Sequence, residues 1–255
     1  MEISVAQVRQ VRRLSPNMAR VCLVGDDLRR MTATCPDAYV KLFFPLPGQD
    51  RPRLPELTAG SWYRTYLALP DEIRPPMRTY TVRAHRGAEV DIDFVLHGDA
   101  GPASRWVLGA QPGDTVAVLG PGGLHIVPPG TDWQLLIGDE TALPAIGSIL
   151  ERLSPGAKAH AFIEVDGPAE EQRFPTLGDI RVHWVHRGSA PHGESVLNAV
   201  RMARLPEGTP YSWVSGEAGM VKSARRHLVR DRGFPKSAIT FTGYWRLGAT
   251  HDQLS

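Results

Sequence analysis

The sequence has little cysteine, almost no excess of either charge, and no long apolar run. Only Cys22 and Cys35 are present, with no second pair, which argues against a disulfide scaffold, a zinc site or an iron–sulfur cluster. Both read as small buried core thiols. Lys and Arg total 29 against 27 for Asp and Glu, a net charge of +2, so neither nucleic acid nor a membrane surface is an expected partner and any basic site must be local. The opening MEISVAQVRQVRRLS lacks the apolar stretch of a signal peptide, and no run approaches the length that spans a bilayer; a cytoplasmic protein is expected. G-x-G-x-x-G is also missing, so a Rossmann dehydrogenase fingerprint is excluded. There is no internal repeat and no low-complexity tract.

What is present suits two modest domains in 255 residues. Up to about Pro129, short β-rich runs alternate with Pro and Gly: 18–25, AYVKLFFP, RTYTVRAH, VDIDFVLH and DTVAVLGP. They suit a six-stranded-type antiparallel barrel. In VDIDFV the period of two makes one face apolar and the other acidic, while residues 47–60, rich in Pro and Arg, read as loop. Val127-Pro128-Pro129-Gly130 marks the boundary, giving domains 1–128 and 129–255. Beyond it strands are expected at 134–138, 158–165, 182–186, 211–215 and 238–244, with helices at 143–153, 194–203 and 217–230. That alternation predicts a doubly wound parallel sheet with helices on both faces.

Three segments carry chemistry. On the strand Arg78-Thr79-Tyr80-Thr81, Arg78 and Tyr80 share one face and Thr79 and Thr81 the other. A guanidinium, a ring and two hydroxyls suit an extended dinucleotide, although an ordinary strand has the same composition. In DFVLHGDAGPASRW a strand runs into a Gly-Pro turn and a helix, with Pro102 in its first turn. The free N–H groups of Ala103 and Ser104 could then hold a pyrophosphate, unless Ser104 or Asp99 merely caps the helix. Gly138-Asp139-Glu140-Thr141-Ala142 and Ser215-Gly216-Glu217 both lie at carboxyl ends of the parallel sheet, where such folds bind nucleotides. A capped helix without a ligand is the other reading of Asp139.

RTYTVR, DFVLHGDAGPASRW, PGDTVAVLGP, GDETALPAI and GYWRLG, in this order across nearly the whole chain, resemble the siderophore-interacting protein family of ferric-siderophore reductases within the ferredoxin-reductase-like flavoproteins. The resemblance implies FAD on Arg78, Thr79, Tyr80 and Thr81, with Tyr80 beside the ring and Thr81 near its reactive nitrogen edge as the catalytic pair. It implies that Val95, Leu96 and His97 line the cofactor, and that Gly101, Pro102, Ala103 and Ser104 hold its pyrophosphate. Asp139, Glu140, Thr141 and Ala142 would border the flavin and an incoming nicotinamide, met also by Ser215, Gly216 and Glu217, with Trp245 near the flavin ring. Arg187, with Lys222 further on, would neutralise a 2′-phosphate if the donor is NADPH and not NADH, whereas Arg225 and Arg226 read as a solvated helix face. Lys41 and Arg246 match basic positions that attract a ferric siderophore. The turn 120–124 lacks the arginine that relatives can carry, with His125 as the nearest substitute.

A nicotinamide delivers a hydride and iron takes one electron, so the implied flavin is the converter; reduction frees iron because Fe(II) is held less tightly by oxygen-rich chelators. No protein-bound metal is expected. A general flavoprotein reductase serving a redox protein such as a ferredoxin or free flavin, and a siderophore carrier without catalysis, are the alternatives.

Overall fold

The computed structural model describes residues 3–54, 62–96 and 101–249. They fall into two compact units, one of residues up to Thr34 with Ala38–Gly123, the other of Cys35–Asp37 with the chain from Leu124 onward. His97 and part of the 47–60 segment lie outside the described residues.

The first unit contains β1 (Ile3–Ser15), β2 (Met18–Val24), β3 (Tyr39–Phe43), the six-residue helix α1 (Trp62–Leu67), β4 (Met77–Thr81), β5 (Ala84–Arg86), β6 (Glu89–Val95), helix α2 (Pro102–Gly109) and β7 (Thr115–Gly122). The strands form one antiparallel sheet in the order β4-β3-β7-β1-β2-β6-β5. Its two end strands are consecutive in the chain, separated only by Val82 and Arg83. One bent segment therefore pairs with β3 through β4 and with β6 through β5, and Arg83 N–H donates to the Asp91 carbonyl at 2.9 Å. The sheet closes on itself as a barrel of six effective strands, as expected.

Inside it pack Val21, Leu23, Val40, Leu42, Ile92, Phe94 and Val116, each nearly inaccessible. Burial of that apolar surface is the main stabilising term. A second cluster, Phe43, Tyr66, Met77, Ala117 and Leu119, lies under α1. Strand β6 has its apolar and acidic faces as its alternation predicts, but the acidic face is also covered. Arg20 grips Asp93 with two bonds of 2.6 and 2.8 Å, and Arg86 meets Asp91 at 2.8 Å. The cysteine expectation is corrected: Cys22 and Cys35 are partly exposed, because both lie outside the apolar clusters.

The second unit runs β8 (Trp133–Gly138), α3 (Leu143–Glu151), β9 (Lys158–Val165), β10 (Asp179–His186), α4 (Glu194–Met202), β11 (Pro210–Glu217), α5 (Ala218–Arg230) and β12 (Ile239–Trp245). Its sheet is parallel with the order β10-β9-β8-β11-β12. The direction of winding reverses between β8 and β11, and ligands bind outside the carboxyl ends at such a switch point. Helices α4 and α5 bury Val196, Val200, Val221, Ala224 and Leu228 against Leu135, Ile137 and Val214, so one face of the sheet is their common core.

Candidate flavin and nicotinamide sites

In the barrel, β4 presents its expected faces. Lys41 pairs with Thr79, and Val40 and Leu42 pair with Tyr80 and Arg78. Tyr80 packs on Phe94, ring centres 4.3 Å apart, and burial pushes its hydroxyl pKa up. Arg78 donates from Nη1 to its neighbour's carbonyl at 2.7 Å, with no ion pair to it among the described residues. Thr81 is buried where the strand bends.

The end of β6 meets the start of α2: Ser104 Oγ lies 3.4 Å from the Val95 carbonyl, and Leu96 and Ala103 join the barrel core. Helix α2 starts at an extended Gly101 with Pro102 following, and no side chain caps it. Its first-turn N–H groups and dipole thus meet no capping carboxylate or hydroxyl among the described residues. Ser104 makes no cap bond here, and Asp99 lies outside the described residues. A helix start without a side-chain cap, a guanidinium with no ion pair among the described residues and an aromatic ring are groups that fit an extended dinucleotide. Lys41 lies on the other face of the ladder, with Nζ 3.2 Å from Thr79 Oγ1 and 5.7 Å from the centre of the Trp62 ring. Burial lowers its pKa.

At the carboxyl ends of the parallel sheet, the residues singled out are mostly bonded to one another. Asp139 is 2 % exposed. Its Oδ1 accepts from Thr141 N–H and Thr141 Oγ1 at 2.9 and 2.5 Å, and its Oδ2 from Glu217 N–H and Trp245 Nε1 at 2.7 and 2.9 Å. Burial pushes this carboxyl above its ordinary value, opposed by those donors. Asp139 therefore joins the ends of β8, β11 and β12, a positioning role. Gly216 makes this possible: its φ is +137° and a Cβ there would stand 2.6 Å from Asp139 Oδ2. Ser215 is buried beside it. Ala142 is fully buried at the start of α3, which no side chain caps.

Two helix starts that could have received a phosphate are closed by acids. Glu217 Oε2 accepts from Met220 N–H at 2.8 Å at the start of α5, and Glu164 from β9 accepts from Gly193 and Val196 N–H at 2.8 and 3.2 Å at the start of α4. Arg187 is also committed. It lies 2.5 Å from Glu140, 3.3 Å from Asp166 and 3.6 Å from Glu164, and these carboxylates raise its pKa against the effect of burial. Its charge is more than balanced before any ligand arrives, so the sequence expectation of a free cation for a 2′-phosphate is not met.

Trp245, beyond its bond to Asp139, stands edge-on to His192 at 5.1 Å, whose Nδ1 is buried without a partner. His192, in a loop of small residues, gave no signal in the sequence. Glu164 did: it is an acid within the apolar half of β9, after Ala161-Phe162-Ile163. Arg246 is exposed after β12. His125 does not replace the missing arginine, since it is 8 % exposed, bonded to Gln134 Oε1 at 2.9 Å, and held below its usual pKa by burial.

Residues 7–125 match the family model of the siderophore-interacting FAD-binding domain, and residues 131–248 that of the siderophore-interacting protein. A siderophore utilization protein from T. fusca has the same fold, with a TM-score of 0.86, 35% identity and coverage of 98% of this chain and 94% of that one. A ferric vibriobactin reductase of Vibrio cholerae is 30% identical over 94% of this chain and 88% of its own length. An NADPH-dependent ferric-chelate reductase of Escherichia coli is 31% identical over 93% and 91%. With a barrel that carries the FAD-binding pattern and a switch-point sheet behind it in sequence, the chain belongs to the siderophore-interacting protein family.

Proposed function

We propose that this chain is an FAD-dependent reductase that passes electrons from NADPH or NADH to Fe(III) in ferric siderophores. The observation that carries it is the start of α2, free of any side-chain cap among the described residues and tied to the end of β6 through Ser104 and Val95, in a family whose relatives are named as ferric reductases. Bound FAD would supply the exchange between one hydride and two single electrons. Arg78 and the N–H groups of Ala103 and Ser104 would hold its phosphates, and Tyr80 would fix the ring plane and exclude water. Thr81, buried at the bend, offers a hydroxyl and a backbone N–H to the ring's polar edge.

In the second unit, Asp139 keeps Thr141 and Trp245 in place for the nicotinamide. The acids around Arg187 suit ribose hydroxyls better than a second phosphate, which favours NADH over NADPH. Arg246 is the freer of the two cations proposed for the anionic iron complex, since Lys41 is turned to Thr79 and Trp62.

The test separates two anaerobic half-reactions, bleaching of bound flavin by donor and its reoxidation by a ferric siderophore. Lys41→Ala/Arg246→Ala should slow reoxidation by about tenfold or more at low salt and leave bleaching intact, with most of the loss in Arg246→Ala alone. Reoxidation as fast as in the parent would put a general reductase ahead, and a protein that retains no flavin would leave the carrier.

A further inference from the structure

At the opposite end of the parallel sheet lies a cavity of about 310 Å³ lined by Lys158, His160, Asp179, Arg181, Arg204 and Leu205. Register explains why these groups meet. Asp179 pairs with Lys158, Arg181 with His160, and His183 with Phe162, so each pair projects on one face. His183 lies flat on Phe162, ring centres 4.3 Å apart and planes 7° apart, and 5.8 Å from His160. The cavity is closed by the segment after α4, which Arg232 fixes by donating from Nη2 to the carbonyls of Val200, Arg201 and Ala203 at 3.2, 2.8 and 2.9 Å. The wall bearing Arg204 is thereby held in place.

The charge balance of this cavity is one-sided. Three cations face one carboxylate, and among the described residues no ion pair within 4 Å involves Lys158, Arg181 or Arg204. His160 is 8 % exposed, with an edge-on Trp133 behind it, and neither of its ring nitrogens has a protein partner among the described residues. Close unpaired cations repel one another, and an anion between them removes that cost. Nucleotides belong at the carboxyl ends, and eight residues of β9 put the cavity roughly 25 Å from there.

We propose that Lys158, His160, Arg181 and Arg204 form a second ligand site, separate from the redox site, for a compact oxyanion carrying two or more negative charges, such as a phosphoryl or polycarboxylate group. Its volume is at the lower end for small-molecule sites, which fits such a ligand and not a dinucleotide. Burial first, then the neighbouring cations, hold His160 below its ordinary pKa, and burial and Arg181 do the same to His183. Both are neutral in the free site near neutral pH and are drawn toward protonation by an anion. Binding of an anion whose own charge stays constant is therefore coupled to proton uptake by these imidazoles. The other charged groups facing them are Lys158, Arg181, Arg204 and Asp179.

The test is calorimetric titration of the FAD-loaded protein at low salt with inorganic pyrophosphate in one arm and citrate in the other. One equivalent should bind, with shifts of the His160 and His183 side-chain resonances. Arg181→Gln/Arg204→Gln should weaken binding by about tenfold or more while flavin reduction by donor and the unfolding temperature stay as in the parent. Arg226→Gln, on α5, should change nothing. Binding of pyrophosphate alone assigns the site to phosphoryl ligands, of citrate alone to polycarboxylates, and of both to compact polyanions at large. Binding of neither at millimolar concentration, or binding indifferent to the double variant, overturns the proposal.

Discussion

Removing the Arg187 side chain is the most informative perturbation of the sheet's carboxyl end. Its guanidinium is 11 % exposed and touches Glu140, itself 7 % exposed, at 2.5 Å, so solvent screens the pair little. Breaking a buried pair by deleting one partner costs about 3–5 kcal/mol, because the surviving charge is left uncompensated. Glu164 keeps its two backbone donors, whereas the one partner recorded for Glu140 among the described residues is lost. The cost should therefore sit near the lower end, about 3 kcal/mol, and for a unit of this size lower the unfolding temperature by about 10 °C. Arg187→Ala should also raise the Michaelis constants of NADH and NADPH together, since the turn that carries Thr141 loosens. Adding Glu140→Gln removes the stranded charge and should restore about half of the loss, giving a coupling above 1 kcal/mol or so in the double-mutant cycle. A loss under about 1 kcal/mol, with only the NADPH constant raised, would refute this account and return Arg187 to phosphate recognition.

Other outcomes are expected. Arg78→Ala should lose bound FAD, read from visible absorbance after gel filtration, while Arg226→Ala retains it, since the first is placed on phosphate and the second on solvent. Gly216→Ala should destabilise the protein by about 2 kcal/mol or more in chemical unfolding, as a positive φ and a contact with Asp139 Oδ2 must both be relieved. His125 has its folded pKa depressed by burial, so its share of stability is present above the unfolded value of about 6.5 and lost as pH falls below it. The parent should accordingly lose more stability than His125→Gln between about pH 7.5 and pH 5.

Much of this molecule is written locally in its sequence. The parallel sheet follows from apolar runs such as 134–138 and 158–165 bounded by turns, and β9 spans the very residues expected. Strand β1 was missed: its 13 residues alternate weakly and include the polar run Arg12-Arg13, because its outer face is solvated. Helix α1, just after the Pro- and Arg-rich segment 47–60, has no sequence signal of its own, being six residues held by Tyr66 against Phe43 and not by its own periodicity. The motif residues stand in short local segments, but their partners do not. Asp139 meets Glu217 and Trp245 across 78 and 106 positions, and no local pattern encodes a contact at that separation. For the same reason Arg187 reads in sequence as a free cation and in the fold as a shared counterion.

The three residues Cys35–Asp37 stand in sequence between elements of the barrel yet belong to the C-terminal unit. Asp37 accepts from the N–H groups of Leu124 and His125 at 3.0 and 2.9 Å and from Trp213 Nε1 at 3.0 Å, with Trp213 1 % exposed. The two units are therefore not beads on a string, and no single cut yields both intact. A fragment beginning after the Val127–Gly130 boundary would leave the Trp213 donor without its acceptor, at about 1–3 kcal/mol. Dissection, fusion or circular permutation of this protein has to carry a tripeptide from one half of the chain along with the other.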